Sequence, residues 1–148
     1  MGTDFKIFDV GCGAGTLLHT AGQKFASTQL FGVEPNATYA NICIKRVTKN
    51  VVIDNFNTNN FSEEFDLILN TKVLEHIDDP RPFLADLSFI MSEHSFLFLE
   101  VPDVSEIEKL PPNHDRFYIP HIYFYSTETL TTLLNEQNLK VLAGILGK

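Results

Sequence analysis

Short, nearly continuous apolar runs recur along the chain: FKIFDV (5–10), QLFGVE (29–34), NVVID (50–54), FDLILN (65–70) and SFLFLEV (95–101). Runs of that length, rich in β-branched and aromatic residues, predict strands covered on both faces. Between them, apolar residues fall three and four apart. They do so in GTLLHTAGQKFA, with Leu17, Leu18, Ala21 and Phe25, and in NATYANICIKRVT, which follows the helix-starting pair Pro35 and Asn36. The same spacing returns in RPFLADLSFIM, with Phe83, Leu84, Leu87, Ile90 and Met91. It collects the apolar side chains on one face of a helix. A last helical stretch, STETLTTLLNEQN, opens on the capping residue Ser126 and leads into a sixth apolar run, LKVLAGIL. Strand and helix alternating in this way predict an α/β fold, a doubly wound and mostly parallel sheet with helices on both faces.

Composition narrows the reading without redirecting it. A chain of 148 residues with 44% hydrophobic content is long enough for one packed core, so residues 1–148 are read as a single domain. No run approaches the roughly 18 apolar residues of a membrane span, and MGTDFKIFDV lacks the pattern of a secretory leader. A cytoplasmic chain with no membrane partner is expected. Cys12 and Cys43 lack metal-ligand spacing and are too few for a disulfide framework, so they are read as small buried hydrophobes, and no metal is expected. A formal charge of −8 with 11 basic residues opposes binding to a phosphate backbone, so nucleic acid is excluded as the main partner.

The chemistry gathers where such a sheet keeps its ligand, beyond the carboxyl ends of the strands. Asp9 and a glycine-rich turn close the first predicted strand, Glu34 the second, Asp54 the third, Asn70 and Thr71 the fourth, and Glu100 to Asp103 the fifth. The turn reads Gly11-Cys12-Gly13-Ala14-Gly15, with Thr16 where a dinucleotide-binding turn wants its third glycine. Glycines let a ligand approach the backbone amides. Asp9 would repel a phosphate and attract an ammonium group, and Glu34 can accept hydrogen bonds from both hydroxyls of a ribose. A ligand with a ribose, an ammonium and no phosphate fits better than a nicotinamide cofactor.

At these residues the sequence resembles the class I S-adenosylmethionine-dependent methyltransferases. FDVGCGAG is similar to their first motif, FGVEPN to their acidic second-strand end, and FDLILNTKVLEHIDDP to a fourth-strand segment written V-L-E-H-x-x-D-P in many small-molecule members. LFLEVPD and the later HIYFYSTETLTTLLNEQNL are similar to the fifth strand and the helix after it. The resemblance implies that S-adenosyl-L-methionine is the cofactor and that a methyl group passes to a small-molecule acceptor. By it, Gly11, Gly13 and Gly15 would pass beneath the methionine and ribose portions, Asp9 would lie near the amino end, and Glu34 would hold the ribose hydroxyls. Either Asp54 or Asn55 would meet the adenine amino group, and Asn70 and Thr71 complete the cofactor-binding set. Glu75 and His76 either orient the loop under the methionine end or pack and cap a short turn before Pro80; the second reading is favoured, with their backbone bordering the site.

Transfer from a sulfonium needs positioning more than acid–base help, and a base only where the acceptor must lose a proton. Candidate bases lie in the aromatic connection from 102 to 126, where His121 ranks ahead of His114. Phe117, Tyr118, Tyr123, Phe124 and Tyr125 in that connection are read as acceptor pocket. Two other readings stay open: a nicotinamide-dependent oxidoreductase on a similar sheet, and an S-adenosylmethionine-binding module without catalysis. The reading also expects a form of the fold lacking N-terminal helices and the last strand. Self-association through residues 139 to 146 as an edge strand would follow.

Overall fold

The computed structural model describes residues 5–25, 28–104, 107–109, 111, 114 and 121–144. The chain divides into two compact units, Met1–Thr71 with Phe89–Leu99, and Lys72–Ser88 with Glu100–Lys148.

The first unit holds the sheet. Its strands are β1 (Lys6–Val10), β2 (Gln29–Val33), β3 (Val51–Val52), β4 (Phe65–Thr71) and β5 (Met91–Glu100), which ends just beyond the unit. They lie in the order β3-β2-β1-β4-β5. The β1–β2, β1–β4 and β2–β3 pairings are parallel, as continuous apolar runs require. From β1 the chain moves outward through β2 to β3, then returns to the other side of β1 for β4. The reversal places a topological switch point at the carboxyl end of β1, where doubly wound sheets form their ligand crevice. The α/β class and the parallel, doubly wound order read from the sequence are those observed. The third strand is shorter than its apolar run, because only Val51 and Val52 pair with β2.

The period-2 alternation of β1 builds two different cores. Ile7 joins Cys12, Leu18, Cys43 and Leu69 in a cluster that seats α1 (Thr16–Lys24) and α2 (Ala37–Arg46). Both cysteines are free and buried within it. Phe8 points the other way and meets Phe61 and Phe65 at ring separations of 4.6 Å each. Ile7 and Phe8 are fully buried, which makes β1 the centre of this unit. Helix α2 starts where predicted: the Asn36 side chain accepts from the Thr38 and Tyr39 amides at 3.0 and 3.3 Å.

The second unit carries α3 (Pro80–Phe89, whose last residue belongs to the first unit) and α4 (Thr127–Glu136). Ser126 caps α4 through a reciprocal pair with Thr129. The helix stops at Asn138, in the left-handed region with φ of 60°. The Leu139 amide then reaches the Leu134 carbonyl at 3.0 Å and the Asn138 amide the Asn135 carbonyl at 3.1 Å, the paired bonds of a Schellman motif. The sixth strand expected of LKVLAGIL is not formed in its described part. Residues 139–144 follow this stop as irregular chain, paired with no described strand, and Leu142 is exposed. An apolar run makes a strand only where a neighbouring strand takes its backbone groups. Ile145 and Leu146 lie outside the described residues.

Candidate functional site

Four backbone hydrogen bonds shape the turn after β1. The amides of Gly11 and Cys12 both donate to the Val33 carbonyl, at 2.9 and 3.1 Å, which pins the turn to the end of β2. The Gly15 amide closes it on the Cys12 carbonyl at 2.9 Å, and the His19 amide takes the Gly15 carbonyl at 2.8 Å to begin α1. The Glu34 amide in turn bonds the Val52 carbonyl at 3.0 Å, which fixes the next strand end.

The glycines serve different ends. All three have positive φ: 78° at Gly11, 52° at Gly13 and 82° at Gly15. At Gly15 a methyl group would sit 2.5 Å from Cys43 Sγ and 2.9 Å from a Val47 methyl, so this glycine lets the turn pack on α2. At Gly13 a methyl group would meet nothing within 4 Å. Its missing side chain makes room for something outside the protein fold.

Glu34 is bonded to this glycine. Its Oε2 accepts the Gly13 amide at 3.0 Å and its Oε1 the Asn36 amide at 2.8 Å. Each oxygen keeps a second lone pair, so the carboxylate is oriented by the backbone yet still able to accept from two hydroxyls. Asp9 is 2% exposed and its Oδ1 has no hydrogen-bond partner. Burial, and then the charge of Glu34, push the Asp9 carboxyl up to about 7. Asn70, in register with Val10 across β1 and β4, is fully buried with neither amide atom partnered. Thr71 ends β4 half-buried. An orphaned carboxyl oxygen, an orphaned amide and an open cradle around one glycine are the features a polar ligand would complete.

Asp54 and Asn55 lie exposed beyond β3, where the Asp54 Oδ1 accepts the Asn55 amide at 2.7 Å. This bond engages the Asn55 amide and not its side chain. The Cys12 thiol is pushed up, first by burial and then by Cys43, Asp9 and Glu34, which suits a packing role rather than a nucleophile.

In the second unit, Leu74–His76 forms the short turn read from VLEHIDDP. Its backbone is structural: the Glu75 carbonyl accepts the Ile122 and Tyr123 amides at 2.8 and 3.2 Å. The Glu75 side chain caps nothing. It is 1% exposed, and neither carboxylate oxygen has a hydrogen-bond partner. Nearby, the buried Tyr125 hydroxyl is also unpartnered, and burial followed by Tyr123 and Glu75 pushes it up to about 12. Tyr123 Oη donates to the Asp78 carbonyl at 2.9 Å. The His121 ring lies 5.0 Å from that of His76 and 6.2 Å from that of Phe124. The His114 amide bonds the Pro111 carbonyl at 2.9 Å. Phe117 and Tyr118 lie outside the described residues. Sequence reasoning gave Glu75 a packing and capping role, because nothing in its spacing told of burial without a partner.

Comparison with known proteins agrees with this geometry. Residues 3–143 match the family model described as "Methyltransferase domain". The chain is 33% identical over 93 residues to a ubiquinone biosynthesis O-methyltransferase of Rhodopseudomonas palustris, covering 58% of this chain and 35% of that one. It is 28% identical over 127 residues to a tRNA U34 carboxymethyltransferase of Campylobacter jejuni, covering 80% and 43%. It is 27% identical over 100 residues to a probable (S)-tetrahydroprotoberberine N-methyltransferase of Papaver bracteatum, covering 64% and 28%. The chain thus spans less than half the length of these relatives. Among solved structures, the plantazolicin methyltransferase BpumL in complex with SAH superposes with a TM-score of 0.74 at 20% identity, over 89% of this chain and 55% of that one. At that identity the superposition speaks for the fold. The family match covers the glycine turn, the Glu34 strand end and the VLEHIDDP turn, and by it the chain belongs to the methyltransferase domain family.

Proposed function

We propose that the chain binds S-adenosyl-L-methionine and transfers its methyl group to a small-molecule acceptor. The observation that carries the reading is the bond from the Gly13 amide to Glu34, which sets a fixed carboxylate beside an open glycine cradle. The cofactor would supply a methyl group already activated by its sulfonium. Glu34 would hold the ribose hydroxyls, and Asp9 the ammonium end, whose positive charge would favour the ionised carboxylate. The turn of Gly11, Gly13 and Gly15 would run beneath the cofactor, with Asn70 and Thr71 at the end of β4 and Asp54 or Asn55 toward the adenine. The family's S-adenosylhomocysteine-bound structural neighbours support this cofactor over a nicotinamide.

His121 is the favoured proton acceptor for an acceptor that must lose a proton, with His114 as the other candidate. A small-molecule acceptor, with nucleic acid excluded, rests on the charge of −8. The related tRNA U34 carboxymethyltransferase makes RNA the contrast to include in the test. No helix among the described residues is long and apolar enough to cross a membrane; the cytoplasmic location belongs to the same proposal. Self-association is favoured more by the outer strand β5, where Phe96 and Phe98 are exposed, than by the irregular segment after α4. The test is incubation with methyl-labelled S-adenosylmethionine and pooled hydroxyl and amine metabolites, with bulk tRNA in a parallel arm. Label entering the metabolite pool supports the reading. Label entering only the tRNA overturns the acceptor class.

A further inference from the structure

The turn Leu74–His76 and the segment that begins at His121 are tied together twice. The Glu75 carbonyl takes the Ile122 and Tyr123 amides, and Tyr123 Oη reaches back to the Asp78 carbonyl. These bonds hold three potential ligand atoms, a Glu75 carboxylate oxygen and one ring nitrogen each of His76 and His121, within 4.8 Å of one another. The two rings are inclined at 54° and so are not stacked. A tetrahedral zinc with ligand bonds of about 2.0–2.2 Å keeps its ligands about 3.3 Å apart, so small side-chain rotations would close the set.

The second observation is independent of that spacing. Glu75 is 1% exposed, and both of its oxygens lack a hydrogen-bond partner. It also belongs to none of the ion pairs among the described residues. A carboxylate taken out of water in this way calls for a cation. His76 is exposed and His121 half-buried, so the cluster opens to solvent on its imidazole side while the carboxylate sits beneath.

We propose that Glu75, His76 and His121 form a binding site for a divalent first-row transition-metal ion, with Zn²⁺ as the reference case. Two imidazoles and one carboxylate suit zinc, cobalt, nickel or ferrous iron and discriminate against Mg²⁺ and Ca²⁺, which prefer all-oxygen sites. Three protein ligands leave a coordination position for water or for an oxygen or nitrogen of a bound molecule. The turn that the sequence reads as packing and capping would then be a metal site assembled from residues far apart in the chain. This inference does not rest on the methyl-transfer reading.

The test uses the full chain, free of any affinity tag and stripped by a chelator, titrated calorimetrically with Zn²⁺ alone and with Mg²⁺ alone. Co²⁺ uptake is followed by visible absorption. The expected result is one Zn²⁺ per chain, visible d–d bands with Co²⁺, and no comparable heat with Mg²⁺. Since changes beyond the direct ligands already cost 10–100-fold in affinity, Glu75→Gln and His121→Ala should each weaken Zn²⁺ binding about a hundredfold. Circular dichroism checks that each variant is folded, and His76→Ala, at an exposed position, replaces any that is not. A folded wild-type chain that takes up no Zn²⁺ or Co²⁺ would overturn the proposal. So would folded variants that bind as tightly as wild type.

Discussion

The Gly13 amide donates to Glu34 Oε2 at 3.0 Å, so the turn after β1 is fastened to the end of β2 by the same carboxylate proposed to hold the ribose. On that proposal, cofactor recognition and loop shape are coupled through one side chain. A ligand that engages Glu34 meets a carboxylate whose orientation is already fixed by two backbone amides, which lowers the entropic cost of binding.

The glycines should separate in experiment. Gly15→Ala should destabilise the fold by about 2–5 kcal/mol, combining left-handed strain with a clash against Cys43 and Val47. Gly13→Ala should cost about 1–2 kcal/mol, since only the backbone is strained. It should nevertheless lower cofactor affinity, because the methyl group fills the open cradle. Urea unfolding paired with a binding titration on both variants checks this. Equal stability losses would mean that the two positions do the same job.

Asp9 gives the stability of the chain a pH dependence. Its carboxyl is pushed up to about 7, so the folded chain keeps a proton that the unfolded chain, with a value near 4, has already lost. The native state therefore gains from this group at acid pH, and the gain drains away between about pH 4 and 7, by about 4 kcal/mol at most. Asp9→Asn, which stays neutral throughout, should flatten that fall. Urea midpoints at pH 5 and pH 7.5 for wild type and variant decide it. Parallel pH profiles for the two would remove Asp9 as the cause.

Asn70 is fully buried with an unpartnered amide, an arrangement that costs stability unless a ligand completes it. Asn70→Leu, similar in volume and apolar, should leave the melting temperature unchanged or raise it while weakening cofactor binding. A variant that loses stability without losing affinity would show that the amide serves the fold.

Much of this was legible in the sequence for a simple reason: parallel strands buried on both faces leave uninterrupted apolar runs, and FDLILN and QLFGVE announce themselves. The placement of Asp9, Glu34 and Asn70 at strand ends was legible as well, because the apolar runs that make the strands stop there. Two things were not. LKVLAGIL has the composition of a strand, but pairing depends on a neighbour that composition does not report, and the chain instead leaves α4 through the Asn138 stop as irregular backbone. Glu75 looked like an ordinary turn residue. Its burial and its approach to His121 depend on backbone bonds to Ile122 and Tyr123, contacts between distant parts of the chain that no local spacing encodes.

The central claim, that Glu34 holds the cofactor at the glycine turn, is tested most directly by calorimetric titration of S-adenosylhomocysteine into wild type and Glu34→Ala. Charge-assisted hydrogen bonds contribute about 1.5–3 kcal/mol each at most, so the substitution should cost one to two decades of affinity in practice. A folded Glu34→Ala chain that binds S-adenosylhomocysteine as tightly as wild type would contradict the account.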